Sequence, residues 1–251
     1  MRAYELNEVS WWSNWAEAKW LDKNAYVLFS KDFGEYFFNR GGFLEITPES
    51  DGCIELMERE FETHGRKPHL FLQSDQLDSM LLTLAQRGYG ITDQMAIMEA
   101  GDAPFRVNQE LRIEPVGGEG LETWAEIYLD SFYGESSQIQ TVVGVLRKLA
   151  ETKDASLLLG TMKGKPAGIT ALFRTGRVCG TYCLATHRDW RGNHIASTML
   201  DFCRRLAGEE GRRLILQTIL SDSAEGFYLR LGFRRAYVKD LFVKDNGRTR
   251  K

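Results

Sequence analysis

Cysteine, histidine and proline are all scarce in this chain of 251 residues, at four, four and five copies. Cys53, Cys179, Cys183 and Cys203 form no CxxC pair, so neither a disulfide framework nor a redox pair is expected, and reduced buried thiols are. His64, His69, His187 and His194 are scattered, with no HExxH and no paired Cys/His spacing, so no metal site is expected. No apolar run approaches the roughly 18–20 residues of a membrane span. The opening MRAYELNEVSWWSNW lacks the apolar core and small-residue cleavage site of a signal peptide. These absences point to a cytoplasmic chain with no membrane association.

What is present is ample apolar material, 43% hydrophobic and 12% aromatic residues, enough to build cores. At about 150 residues per domain the length suits one large domain or two small ones. The net charge of −3 conceals a division. Residues 1–110 hold 19 acids and 10 bases, a net −9, whereas residues 111–251 hold 16 acids and 22 bases, a net +6. The acidic surplus weighs against nucleic acid as a partner, while the basic half retains affinity for phosphate.

Along the chain, Trp11, Trp12 and Trp15 place an aromatic stripe on a helix expected within residues 7–20, a stripe suited to packing. Strands are expected at 25–30, 35–40, 43–46, 69–73 and 94–98, with helices from Ser50 or Asp51 and over 76–87. Residues 100–110, AGDAPFRVNQE, combine small, polar and proline residues and mark a boundary, giving domains at 1–105 and 110–251. Beyond it come a strand at 111–116 and a helix at 121–132. Three strands follow at 156–162, 167–174 and 178–186, joined by the turn sequences KGKP and RTGR. A helix over 195–207, a strand at 214–218, a helix at 224–231 and a strand at 236–243 complete the pattern.

The chemistry concentrates where the strand ending in CLAT runs through HRDWRGN into the helix beginning HIASTML. A glycine-containing turn that opens a helix presents free amides and the positive end of the helix dipole, the requirements of an anion site. Arg191 adds a full charge and Ser197 a hydroxyl. A second segment, SDSAEGFYLRLGF at 221–233, carries Ser221, Ala224, Phe227, Tyr228 and Leu231-Gly232-Phe233.

Together, Arg191-Gly192-Asn193-His194-Ile195-Ala196 and this second segment resemble the two signatures of the GNAT superfamily of acyl-CoA N-acyltransferases, over roughly residues 111–243. The resemblance implies a mixed-sheet α/β (α+β) fold and acetyl-CoA as co-substrate. It also implies roles. The amides of Gly192, Asn193, His194, Ile195, Ala196 and Ser197, with Arg191, would bind the pyrophosphate. Leu184, Ala185 and Thr186 would bind pantetheine through the backbone, and Ser221 would reach it by its side chain. Tyr228 would act as general acid on the departing thiolate after direct attack by an amine. Three positions depart from the family pattern. His194 stands where the signature has glycine, Ser221 stands for asparagine, and the strand 181–186 has no glutamate to serve as base. The amine would then arrive deprotonated through a water chain, or the base would come from elsewhere, with Asp130 and Glu135 as candidates.

The chain also repeats itself. A shift of 144 lays HLFLQS (69–74) on RLILQT (213–218), Gly88-Tyr89 on Gly232-Phe233, Ile97-Met98 on Leu241-Phe242, and AYVLFS (25–30) on ITALFR (169–174). At the same shift Tyr228 meets Leu84, Ser221 meets Leu77, and the loop 191–196 meets Thr47-Pro48-Glu49-Ser50-Asp51-Gly52, whose carboxylates repel a pyrophosphate. The expected architecture is two GNAT-like domains, the N-terminal one shortened and degenerate, without a CoA site. The acceptor is expected to be a small-molecule or peptide amine, cationic to match the acidic half; the oligomeric state is left open. Two other readings stand beside it: a transferase using another acyl donor, such as a longer acyl-CoA or an aminoacyl-tRNA, and a non-catalytic CoA-binding scaffold.

Overall fold

The computed structural model describes residues 1–102, 105–134 and 136–245. Its first elements are α1 (Arg2–Trp12), β1 (Glu17–Trp20), β2 (Ala25–Phe29), β3 (Arg40–Phe43), α2 (Asp51–Thr63), β4 (His69–Gln73), α3 (Leu81–Gln86) and β5 (Tyr89–Ala100). There follow β6 (Arg112–Pro115), α4 (Gly120–Phe132), α5 (Ile139–Ala150), β7 (Ala155–Met162), β8 (Lys165–Thr175) and β9 (Val178–Thr186). The last are α6 (Ile195–Glu209), β10 (Arg213–Ile219), α7 (Glu225–Arg230) and β11 (Phe233–Lys244). The fold is a mixed α/β arrangement that divides into two compact units.

One unit comprises Met1–Met98, Gln217–Gly226 and the described residues from 235 onward. Its strands run β1-β2-β3-β4-β11-β5. Neighbours β1/β2, β2/β3 and β4/β11 are antiparallel, and β3/β4 is parallel. The core between sheet and α2 contains Val27, Phe43, Ile54, Met57, Phe61, Leu70, Leu72 and Phe242. The other unit comprises Glu99–Leu216 and Phe227–Arg234. There β10, β9, β8, β7 and β6 lie side by side, β10/β9 parallel and the rest antiparallel. Helices α4 and α5 pack together over these strands, and α6 packs on β8 and β9. Among the described residues no helix is long and apolar enough to cross a membrane.

The duplication is visible element by element. Helices α2 and α6 begin 144 residues apart, at Asp51 and Ile195, and β4 and β10 begin at His69 and Arg213. Helices α3 and α7 and strands β5 and β11 coincide at both ends under the same shift. Gly88 and Gly232, at φ +80° and +83°, start the last strand of each copy in a conformation suited to glycine. The last strand of the second copy, β11, belongs from residue 235 to the first unit. In the first unit the Asp245 amide donates to the Gly88 carbonyl at 2.8 Å, and in the second the Gly101 amide donates to Gly232 at 3.1 Å.

Ahead of α2 the shift of 144 fails. Leu70 pairs with Gly41, whereas Leu214 pairs with Cys179, so β3 and β9 are related by 138. Val27 faces Gly41 and Arg174 faces Cys179, so β2 and β8 are related by 147, and the match of 25–30 to 169–174 is out of register. Both strands are buried on both faces over this stretch, and without an alternating pattern an apolar match does not define register. Other local expectations shift too. Residues 35–39 are turn, because Asn39 accepts from the Ser30 amide and donates to the carbonyls of Phe33 and Glu35. The strand expected at 43–46 ends at Phe43, the helix expected over 76–87 starts at Leu81, and α5 was not foreseen. The tryptophan stripe divides, with Trp11 buried and Trp12 half-buried on α1 and Trp15 buried beyond its end.

Helix α1 also buries two acids. Lys239 of β11 reaches Glu8 at 2.6 Å and Glu5 at 3.1 Å, Tyr237 donates to Glu5 at 2.6 Å, and Arg40 pairs with Glu8 at 2.6 Å. All four charged side chains are at most 1% exposed. The Arg40 guanidinium lies 4.5 Å from the Phe71 ring centre, a cation–π contact. Burial raises the pKa of Glu5 against the pull of Lys239. Burial alone would lower that of Lys239, but Glu5 and Glu8 outweigh it and hold it above its usual 10.5. Replacing Lys239 leaves the buried Glu5 without its ion-pair partner and Glu8 with Arg40. Lys239→Met is expected to cost about 3–5 kcal/mol in denaturant unfolding at pH 7. A folded pKa above the unfolded one gives stability that is complete below the unfolded value and lost as pH rises through the folded value. The gap between wild type and variant therefore closes above pH 10.5, and a constant gap would contradict the ion-pair account.

Candidate active site

The candidate site lies at the end of β9. Ile169 pairs with Ala185 but Ala171 pairs with Tyr182, so one residue of β8, Thr170, faces two of β9, Cys183 and Leu184. This is a β-bulge, which bends its strand and re-aims the residues beyond it. Cys183 takes φ +53° to make it, and the Thr170 hydroxyl donates to the Tyr182 carbonyl at 3.1 Å. The parallel pairing of β9 with β10 runs through Thr181 and Leu216, and residues 182–186 continue beyond it. Leu184 sits in the bulge and is half-buried, Ala185 is buried, and Thr186 is half-buried and paired with Gly168.

From Thr186 the chain makes a short 3-10 turn, Arg188–Trp190, and enters the signature loop. Gly192 has φ +81° and His194 has φ +58°, ψ +24°, both left-handed. The second of these explains the family's glycine at that position. His194 adopts the conformation at a steric cost and leaves its side chain exposed. The ladder of α6 begins with the Thr198 amide on the His194 carbonyl at 3.0 Å. The amides of Ile195, Ala196 and Ser197 lie ahead of the first intrahelical donor, at the positive end of a 15-residue helix. Arg191, Gly192, Asn193 and His194 are all exposed. Ile195 anchors the helix on β8, where a Cβ at Gly168 would come within 2.8 Å of its Cγ2.

The side chains expected at the site are distributed less simply. Ser197 is 3% exposed, and its hydroxyl donates to the carbonyls of Arg106 at 2.7 Å and His194 at 3.0 Å, which leaves only its amide for an anion. Asn193 turns its side-chain amide onto the carbonyls of Trp190 and Arg191. Ser221 groups with the first unit, where its hydroxyl donates to Asp93. Partial burial opposes the ionisation of Asp93, but hydrogen bonds from Ser221 and the Gln94 amide prevail and keep its pKa below the usual carboxylate value. Tyr228 groups with the second unit, half-buried, its ring 5.3 Å from that of Phe227 and 5.9 Å from that of Phe233.

Asp130 is exposed on α4, on the wall of a cleft of about 300 Å³ that also includes Glu126, His187 and Trp190. Glu135 lies outside the described residues. All four cysteines are free, and burial pushes the thiols of Cys183 and Cys203 well up, so neither is a nucleophile at neutral pH. Among the described residues no group of three or more His, Cys, Asp or Glu could hold a metal. In the N-terminal copy, Thr47 and Ser50 close a capping box around the helix start, Glu49 stands in that turn, and Asp51 opens α2, filling with oxygens the place an anion would take.

Sequence reasoning missed the strap that holds the loop. Asn108 donates through Nδ2 to the Asn193 carbonyl at 2.9 Å, and its amide donates to the Thr198 hydroxyl at 2.7 Å. Composition marked these residues as a linker, and no local pattern reveals a partner 85 residues away.

Residues 153–235 match the family model described as acetyltransferase (GNAT) domain. A comparison with curated proteins finds no match. Among solved structures, the GCN5-related N-acetyltransferase from Kribbella flavida is similar at TM-score 0.72 and 17% identity, covering 98% of this chain and 94% of that one. A GCN5-related N-acetyltransferase from Sphaerobacter thermophilus is similar at 0.66 and 16%, covering 91% and 82%. A tandem GNAT protein from the clavulanic acid biosynthesis pathway gives 0.60 and 12%, covering 87% and 77%. Residues 153–235 thus match a GNAT acetyltransferase domain, and the chain shares the fold of these solved structures.

The left-handed turn makes a direct prediction. His194→Gly relieves the steric cost and is expected to leave thermal stability unchanged or slightly higher. His194→Val places a β-branched residue at positive φ and is expected to lose about 1–2 kcal/mol. Equal stability of the two variants would contradict the assigned backbone conformation.

Proposed function

We propose that the protein transfers the acetyl group of acetyl-CoA to a primary amine of a small molecule or peptide. The observation that carries this reading is the junction of β9 and α6. A bulged strand runs past its parallel partner, and a left-handed turn then leads into unbonded helix amides beside Arg191. The pyrophosphate rests on the amides of residues 192–197, where the dipole of α6 and the Arg191 guanidinium oppose its charge. Pantetheine lies along residues 184–186 and pairs with the backbone. The deprotonated amine attacks the thioester carbonyl, and a backbone N–H of the 182–186 stretch steadies the oxyanion. The carbon–sulfur bond then breaks, the phenol of Tyr228 protonates the thiolate, and the nitrogen releases its proton to water as the amide forms. The high pKa of Cys183 favours this direct attack over an acyl-cysteine route.

A cationic acceptor fits the charge division, since the −9 stretch attracts ammonium groups at long range. A tRNA-borne donor fits it poorly. The reading is tested by thiol release from acetyl-CoA across a panel of polyamines, amino acids, aminoglycosides and peptide N-termini. Turnover with at least one amine is expected; tight binding without turnover would favour the scaffold reading, and no binding would end the CoA reading. Tyr228→Phe is expected to reduce kcat at least tenfold with acetyl-CoA affinity little changed, and unchanged kcat would remove Tyr228 from the acid role. KM for a cationic acceptor is expected to rise with ionic strength; a flat response would contradict electrostatic attraction.

A further inference from the structure

The segment before β6 holds the signature loop and the first turn of α6 by three hydrogen bonds. The Ser197 hydroxyl donates to the Arg106 carbonyl at 2.7 Å. The Asn108 amide donates to Thr198 Oγ1 at 2.7 Å, and that hydroxyl donates in turn to the His194 carbonyl at 2.6 Å. Asn108 Nδ2 donates to the Asn193 carbonyl at 2.9 Å. Asn108 is itself fixed, because its Oδ1 accepts from the Glu110 amide at 2.9 Å. Phe105 anchors the segment beneath this, buried between the guanidinium of Arg204 at 5.3 Å and the ring of Phe233 at 5.9 Å.

The bond to Asn193 has a consequence for the next peptide. A trans peptide is planar, with C=O and N–H pointing in opposite directions. Drawing the Asn193 carbonyl onto Asn108 therefore turns the His194 amide the other way. His194 is left-handed, a conformation that competes with cheaper ones for a residue bearing a Cβ, so the peptide needs an external hold. We infer that Asn108 is a positioning residue for acyl-CoA, orienting the Asn193–His194 peptide so that its N–H joins the amides offered to the pyrophosphate.

The inference rests on the proposed acetyl-CoA reading and concerns only the pyrophosphate end of the donor. S-acetylpantetheine carries the same thioester without pyrophosphate or adenosine, so it reports on everything except this contact. With the best amine from the acceptor panel, kcat/KM is measured for both donors in wild type, Asn108→Ala and Asn108→Asp. Asparagine donates and aspartate only accepts, so the second variant keeps the shape and loses the hold. Both variants are expected to lose at least tenfold in kcat/KM with acetyl-CoA, carried by KM, and less than twofold with S-acetylpantetheine. Equal losses with the two donors would show a general structural role and overturn the inference, as would no loss with either. Absence of thiol release from acetyl-CoA in the wild type would instead overturn the transferase reading itself.

Discussion

The proposed acyl-donor site depends on the length of chain between a buried strand and its succeeding helix. In the N-terminal copy ten residues separate Gly41, which pairs with Leu70, from the start of α2 at Asp51. In the C-terminal copy sixteen separate Cys179, which pairs with Leu214, from the start of α6 at Ile195. The six additional residues carry β9 past the end of its pairing with β10, through the bulge at Cys183 and into an open loop. The shorter copy lacks these residues, and Thr47 and Ser50 close a capping box on the 3-10 turn Pro48–Ser50 that leads into α2.

The placement of β11 in the first unit makes the two copies interdependent in stability. Strand β11 brings Lys239 and Tyr237 into the unit built from the N-terminal half, where they meet Glu5 and Glu8 of the first helix. Residues from opposite ends of the chain thus share one desolvated charge cluster, whose cost is offset only when every member is in place. The acidic half therefore cannot be regarded as a detachable remnant, since it encloses the last strand of the sequence.

Much of this was legible in the sequence where local pattern and turn chemistry agree. Strands β4 and β9 fall at their expected bounds, and α2, α6 and α7 start within a residue of expectation. The signature loop was legible for the same reason, as was the anomaly of a histidine at a glycine position. What stayed hidden depends on partners remote in sequence. Nothing in AYELNEV indicates that Glu5 and Glu8 face inward, since their counter-charges Arg40 and Lys239 lie 32 to 234 residues away. Nor does FRVNQE disclose that Asn108 holds the loop. Strand β2 was misaligned because a fully buried strand carries no alternation from which to read its register.

The central claim is that one copy retains a CoA site and the other has lost it, and the stoichiometry of binding tests it most directly. Isothermal titration of the full chain with acetyl-CoA is predicted to give one equivalent bound per chain. Two equivalents per chain, or none, would contradict the account.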